Sequence, residues 1–428
     1  MSDDASTIFA VSSGSPPAAI GVVRVSGPEA GTALRKLTGR EIEPRRASLC
    51  VLRDDAGGIL DQALTLWFPG PSTATGEDLA EFHCHGGRAV LSAVCDALGA
   101  IDGLRPAGEG EFTRRSFANG RIDLAEAEGL ADLLEAETEL QRAAAVANVS
   151  GVLSRQVEEW REGVLRLSAL IEAALDFSDE DDVSDLPESF TWNIESLSSS
   201  IGEWLERPRS DRLKDGFRVV LAGPPNAGKS TLFNVLVESE AAITSSIAGT
   251  TRDVIERSVA ISGVPFTFVD TAGLRDEGGE EIESIGIDRA RKELDRADLV
   301  LWLGYEGEGP DRSWEISGRC DARDYEAKSD PRHIVSARTG EGVGALKADL
   351  VDHARGSMPL PGEASLNARQ HTLLSEAYDS LRSARSSNDL LLIGEDLRRA
   401  RLSFDRLIGR ASTEDMLDAL FGRFCIGK

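Results

Sequence analysis

The segment Gly223-Pro224-Pro225-Asn226-Ala227-Gly228-Lys229-Ser230 limits what this 428-residue chain can fold into more than any other stretch. It follows a short apolar run, Phe217-Arg218-Val219-Val220-Leu221-Ala222, and leads through Thr231 into a helix-compatible sequence. A strand, a loop of the form G-x-x-x-x-G-K-[ST] and a helix, in that order, open an α/β nucleotide-binding domain. The glycines let backbone N–H groups converge on phosphates at the positive end of the helix. Lys229 then reaches the outer phosphates, and the Ser230 hydroxyl suits magnesium. The alternative is a glycine-rich turn that matches by chance, and the motifs further along weigh against it.

The run Phe266-Thr267-Phe268-Val269 ends in Asp270-Thr271-Ala272-Gly273. An acid at a strand end can hold the magnesium shell, and the glycine N–H can contact a terminal phosphate. Between the two motifs lies Gly249-Thr250-Thr251-Arg252-Asp253, whose Thr251 could complete that shell only while the phosphate is present. Loss of such a contact on hydrolysis is how a switch loop relaxes. Ser336-Ala337-Arg338 supplies the loop expected beside the base. The three elements before it, the phosphate loop, Gly249–Asp253 and Asp270–Gly273, stand in order at a spacing that points to a GTPase.

Three departures from the common pattern stand out. Leu274 follows Gly273 where a water-orienting Gln is frequent. Asn226 offers an amide oxygen to a monovalent cation, which could do the work of an arginine finger. No Asn-Lys-x-Asp tetrapeptide occurs between Asp270 and Ser336; the nearest match is Gly318-Arg319-Cys320-Asp321, which leaves Asp321 alone to accept from guanine. The preceding Trp314-Glu315-Ile316-Ser317 reads as a poor core strand.

The chain is long enough for several domains. Residues 1–120 carry short β-type runs broken by Gly and Pro, with one helix predicted around Ala89–Leu98, and read as an α+β module. Residues 121–214 turn to Ala, Leu and Glu, with Val157, Trp160, Val164, Leu167 and Ile171 at helical spacing. The tract from Asp176 to Glu188 holds seven carboxylates and no base, which suggests an exposed break between helices. Residues 215–357 are the α/β domain. Residues 358–428 return to helical composition and most simply pack on the earlier helices, which makes the α/β domain an insertion.

With 73 acidic against 47 basic residues the net charge is −26, which argues against a nonspecific grip on nucleic acid but not against a local basic surface. No apolar run approaches the ~18 residues of a membrane span, and the first residues lack the pattern of a signal peptide, so a cytoplasmic location is expected. Cys50, Cys84, Cys95, Cys320 and Cys425 are scattered and read as free thiols.

Taken together, the chain resembles the MnmE (TrmE) tRNA-modification GTPases over nearly its whole length. The markers are Gly21-Val22-Val23-Arg24-Val25-Ser26-Gly27, Thr75-Gly76-Glu77-Asp78 leading to His85-Gly86-Gly87, Gly110-Glu111-Phe112-Thr113-Arg114-Arg115, Asn119-Gly120-Arg121-Ile122-Asp123-Leu124, the nucleotide motifs, and Phe424-Cys425-Ile426-Gly427-Lys428. The resemblance implies an N-terminal α+β folate-binding domain that also dimerises, a discontinuous helical domain and an inserted Ras-like P-loop GTPase domain. It implies work with the flavoprotein MnmG on the 5-position of the wobble uridine of tRNA, with a one-carbon unit from 5,10-methylene- or 5-formyl-tetrahydrofolate. Arg24, Glu81, Arg121 and Lys428 match folate-contacting positions, with Arg121 where Lys is common. Asn226, Ser245, Ile247 and Thr250 match potassium ligands, and Ser230 and Thr251 magnesium ligands. Ser246 and Ala248 complete the implied nucleotide-binding stretch, Glu283 matches the catalytic glutamate that orients water, and Cys425 is an implied reactive residue.

Blander readings exist for some of these residues. Glu283 lies in an acidic stretch with Asp276, Glu277, Glu280 and Glu281 and reads alone as a solvated charge. His83-Cys84-His85 alternate along a strand and suit turn and core roles better than a metal site. A GTP-dependent binding switch, such as a ribosome-assembly factor, is the alternative function. A stand-alone folate-dependent aminomethyltransferase leaves the phosphate loop unexplained.

Overall fold

The computed structural model describes residues 6–176, 186–187, 189–238, 241–242, 255–271, 291–323 and 325–428. Ser245, Ser246, Ile247, Ala248, Gly249, Thr250, Thr251, Ala272, Gly273 and Glu283 lie outside the described residues, as does most of the acidic tract 176–188. The chain divides into two compact units, Met1–Ala131 with Asp405–Lys428, and Asp132–Phe404. Among the described residues no helix is long and apolar enough to cross a membrane.

The first unit is built on strands β1 (Thr7–Val11), β2 (Ile20–Ser26), β3 (Ser48–Arg53), β4 (Ile59–Phe68), β5 (Leu79–His85) and β6 (Leu104–Pro106). They form one sheet in the order β3-β4-β5-β2-β1-β6, with β6 parallel to β1. Side chains alternate between its faces. Phe9, Val23, Val25, Ala80 and Phe82 share a core with Leu34 and Leu37 of α1 (Ala30–Thr38) and Leu91 and Val94 of α2 (Arg88–Gly99). Ile8 and Ala10 point the other way and pack with Ala107 and with Phe112 of α3 (Glu111–Ala118). The sequence pattern predicts one helix here, and the structure has three. The buried stripe of α1, Ala30, Ala33, Leu34 and Leu37, has helical spacing, but only two of its residues are large.

The second unit begins in the last turn of α4 (Leu124–Glu135) and continues with α5 (Glu139–Val149), α6 (Val152–Asp176) and α7 (Ser189–Leu205). The predicted stripe of α6, Val157, Trp160, Val164, Leu167 and Ile171, is buried throughout. The short α8 (Asp211–Asp215) leads into β7 (Phe217–Ala222), α9 (Lys229–Glu238), β8 (Ala241–Ala242), β9 (Ile255–Ile261), β10 (Val264–Asp270), β11 (Leu299–Trp302), β12 (Trp314–Ser317), β13 (His333–Ile334) and α10 (Val343–Arg355). The strands run in the order β13-β12-β11-β7-β10-β9-β8, parallel from β13 to β10 and antiparallel at β9 and β8. The chain returns through α11 (Ala368–Ser386) and α12 (Leu390–Leu407), with α11 along α7 and Phe404 stacked on Trp160. α13 (Glu414–Phe421) closes the first unit, its Leu417, Leu420 and Phe421 packed with Leu124, Ala127 and Ala131.

The segment Trp314-Glu315-Ile316-Ser317 is a core strand, contrary to its poor appearance. Trp314, Ile316 and Ser317 are buried, and the Glu315 carboxylate is taken up by Lys328 Nζ at 2.5 Å. A partner from outside the strand thus neutralises the residue that spoils its pattern. The β9–β10 turn, Ser262-Gly263, meets α5: Leu140 N–H donates to the Gly263 carbonyl at 3.4 Å, and Leu140 and Ala144 join the core beneath the sheet.

Candidate functional site

The phosphate loop leaves β7 at Gly223, whose φ of 145 and surroundings demand a glycine: a Cβ would lie 2.9 Å from the Gly304 nitrogen. Asn226 takes a left-handed φ of 62, a conformation that Asn tolerates better than most residues. α9 then starts at Lys229, and its first turn points N–H groups into the loop. The buried Lys229 ammonium donates to the carbonyls of Gly223 at 3.0 Å and Pro224 at 2.8 Å. Asp270 is buried at the end of β10, the strand beside β7, and the Thr271 hydroxyl donates to the Leu221 carbonyl at 2.8 Å. Parallel pairing of β7 and β10 therefore brings the two motifs to one edge of the sheet.

The loops after β12 and β13 form the second half. Ser336 Oγ donates to Asp321 Oδ1 at 2.5 Å, and Arg338 Nε donates to Asp321 Oδ2 at 2.6 Å. These two bonds, that of Ser336 first, hold the Asp321 carboxyl below its ordinary range. Arg319 turns instead to the phosphate loop, donating to the Asn226 carbonyl at 3.3 Å. A cleft of about 1660 Å³ runs from Gly223, Asn226, Ala227, Gly228, Lys229, Ser230 and Thr231 to Asp321, Ala337 and Arg338. Trp302 and Tyr305 also line it and went unremarked in the sequence, where isolated aromatics carry no signal.

A second polar group lies in the first unit. Arg24 and Glu81 are cross-strand partners on β2 and β5, so their side chains share a face. Arg24 Nη2 meets Glu81 Oε1 at 2.9 Å, and His83 Nε2 meets Glu81 Oε2 at 3.1 Å. His83 is therefore neither core nor turn but a neighbour of Glu81, and its i, i+2 spacing was the available signal. Cys84, between His83 and His85 in the strand, is buried on the opposite face, and burial pushes its thiol up to about 12. His85 pairs with Asp61 at 2.7 Å. Arg121 Nε donates to the Thr73 carbonyl at 3.1 Å, which anchors the loop before β5. The C-terminal tail joins this unit through a bridge between Glu109 and Ile426. Lys428 N–H donates to the Cys425 carbonyl at 3.2 Å, and Cys425 is exposed.

A charged network supports this region. The buried Arg115 binds Glu77 at 3.2 Å and Glu111 at 3.1 Å, and Arg105 binds Glu111 at 2.6 Å. Burial works to raise the Glu111 carboxyl, but Arg105, the Gly108 N–H and Arg115 outweigh it and hold it down to about 2.

Comparison with known proteins covers both units. Residues 7–121 match the family described as "GTP-binding protein TrmE N-terminus", and residues 124–425 match "MnmE helical domain". The chain is 62% identical over 422 residues to the tRNA modification GTPase MnmE of Erythrobacter litoralis, covering 99% of this chain and 100% of that one. It is 60% identical to the protein of the same name from Novosphingobium aromaticivorans, covering 99% of each. Among solved structures, the G domain of the T. maritima FeoB iron transporter is 24% identical, covering 32% of this chain and 98% of that one with a TM-score of 0.24. Matches of this identity over both full lengths establish that the chain belongs to the MnmE family of tRNA modification GTPases.

Proposed function

We propose that the chain hydrolyses GTP in its inserted domain and couples the cycle to modification of the 5-position of the wobble uridine in tRNA. The observation that carries this reading is one cleft, of about 1660 Å³, lined both by the phosphate loop and by Asp321, Ala337 and Arg338 of the expected base side. Lys229 exchanges the carbonyls of Gly223 and Pro224 for phosphate oxygens, replacing bonds from a cation to neutral acceptors with bonds between opposite charges. Ser230, in the first turn of α9 on the cleft wall, offers the hard oxygen that magnesium prefers. With Thr251 it would hold that ion, and Asn226, Ser245, Ile247 and Thr250 would hold potassium. Bound cations there supply positive charge against the developing phosphate charge. Glu283 is assigned to orient the attacking water, and Ala272 and Gly273 to the terminal phosphate.

A tetrahydrofolate derivative is the proposed ligand of Arg24, Glu81, Arg121 and Lys428. The Arg24–Glu81 pair supports this, because it presents a donor fork and an acceptor side by side. Proposed partners are tRNA, the flavoprotein MnmG and a second copy of the chain, in the cytoplasm. Self-association is supported by the exposed apolar residues Leu49, Val51 and Leu64 on adjacent strands of the first sheet. The proposed division is residues 1–120 for folate and dimerisation, 121–214 and 358–428 for the helical domain, and 215–357 for GTP.

Complementation tests the reading. In cells lacking this chain, the wild type should restore 5-aminomethyl-type uridines to tRNA, measured by nucleoside mass analysis, and Lys229→Ala should not. Restoration by Lys229→Ala would separate the modification from the phosphate loop and overturn it.

A further inference from the structure

We propose that Arg338 competes with guanine for Asp321, and so sets how strongly and how selectively this GTPase reads its base. The proposal rests on the reading of Asp321 as the guanine acceptor.

Both oxygens of Asp321 already have donors, and the two donors differ in kind. Ser336 is fully buried, its Oγ accepts from the Thr339 N–H at 3.1 Å, and its own N–H is bound to the Glu341 carbonyl at 2.9 Å. It is a fixed, neutral donor that orients the carboxylate through Oδ1. Arg338 reaches Oδ2 at 2.6 Å from a side chain that is 76% exposed. It is a cation on a flexible stem with a wet alternative.

Guanine presents two N–H donors, at N1 and at the 2-amino group, to such a carboxylate. A guanidinium on Oδ2 must then either withdraw or share the charge that strengthens those bonds. Both routes lower the free energy gained on binding. The effect weighs heavily here because Gly318 leaves no amide where the common tetrapeptide has Asn. Nor does Arg319 stand in for Arg338, since it is turned to the phosphate loop.

Base selectivity follows from the same geometry. Xanthine carries a carbonyl oxygen where guanine carries the 2-amino group. A bare Asp321 carboxylate repels that oxygen, whereas an adjacent guanidinium can donate to it. Arg338 therefore narrows the preference for GTP over XTP as well as weakening GTP.

The test measures equilibrium binding of fluorescent GTP and XTP to the full chain, as wild type, Arg338→Ala, Arg338→Lys, Asp321→Asn and the Arg338→Ala/Asp321→Asn double variant. Thermal melting confirms that each variant is folded. Arg338→Ala should bind GTP about two- to fivefold tighter, the range of an exposed ion pair, and should raise the GTP-to-XTP ratio. The gain should shrink as salt screens the pair, be smaller in Arg338→Lys, and vanish in the Asp321→Asn background. If Asp321→Asn shifts preference toward XTP but Arg338→Ala binds GTP no tighter, the competition is wrong while Asp321 remains the reader. If Asp321→Asn keeps the wild-type preference, Asp321 does not read the base and the proposal falls with that reading.

Discussion

Asn226 sits at φ 62 within a loop set by Gly223 and by the Arg319 contact to its backbone carbonyl, so its backbone is fixed at the cleft and its exposed amide oxygen lies within the cleft lining. A positioned oxygen of that kind favours a cation whose size matches the cavity. Hydrolysis rates should therefore be higher in potassium chloride than in sodium chloride at equal ionic strength, and Asn226→Ala should abolish the difference. Equal rates for the wild type would remove the cation-loop assignment. Glu111 gives a second residue-level expectation. Its carboxyl is held at about 2 against an ordinary 4.5, so it contributes stability that is present above the ordinary value and is lost as pH falls toward 2. The gap in urea stability between wild type and Glu111→Gln should be constant above about pH 5 and close progressively below it. A gap that does not change with pH would mean that Arg105 and Arg115 do not set the Glu111 charge.

At the scale of elements, the C-terminal tail shows how tightly a short segment can be specified. Gly427 has φ 97, and a Cβ there would stand 2.1 Å from the Val11 carbonyl oxygen at the end of β1. Gly427→Ala should lift the tail off the sheet and lower tRNA modification by up to about 10²-fold, a loss typical of misplaced groups, with GTP hydrolysis unchanged. Cys425→Ser should give the same split, measured on modified nucleosides and released phosphate; loss of hydrolysis in either variant would tie the tail to the nucleotide site instead. Elements that announce themselves by local rule were legible in the sequence, namely the phosphate loop between β7 and α9 and the apolar stripe of α6. Those that depend on distant partners were not. β12 hides because Glu315 needs Lys328, α3 because its buried face includes Arg115, and the role of His83 because Glu81 matters only once β2 supplies Arg24. Asp321 was legible as the terminal Asp of the nearest match to Asn-Lys-x-Asp, but the hold of Arg338 upon it depends on how the loops after β12 and β13 meet.

Across the whole molecule, the charge of −26 disfavours self-association, so any contact between copies must draw on local apolar surface. Leu49 and Leu64 face each other across β3 and β4 and are 61% and 39% exposed. Sedimentation should find the wild type self-associated and the Leu49→Asp/Leu64→Asp variant shifted to monomer. An unshifted variant would place the contact elsewhere. The hairpin of β9 and β10 has a wider consequence. Its open end is formed by Ile255, just after the Gly249–Asp253 motif, and by Asp270, and its closed end rests on α5 at Gly263. Seven residues of paired strand make a rod about 23 Å long that bends far less readily than a loop. Mechanically it is a stiff strut: Asp270, at the edge that carries the phosphate loop, and α5, at Gly263, are joined by paired strand rather than by loop.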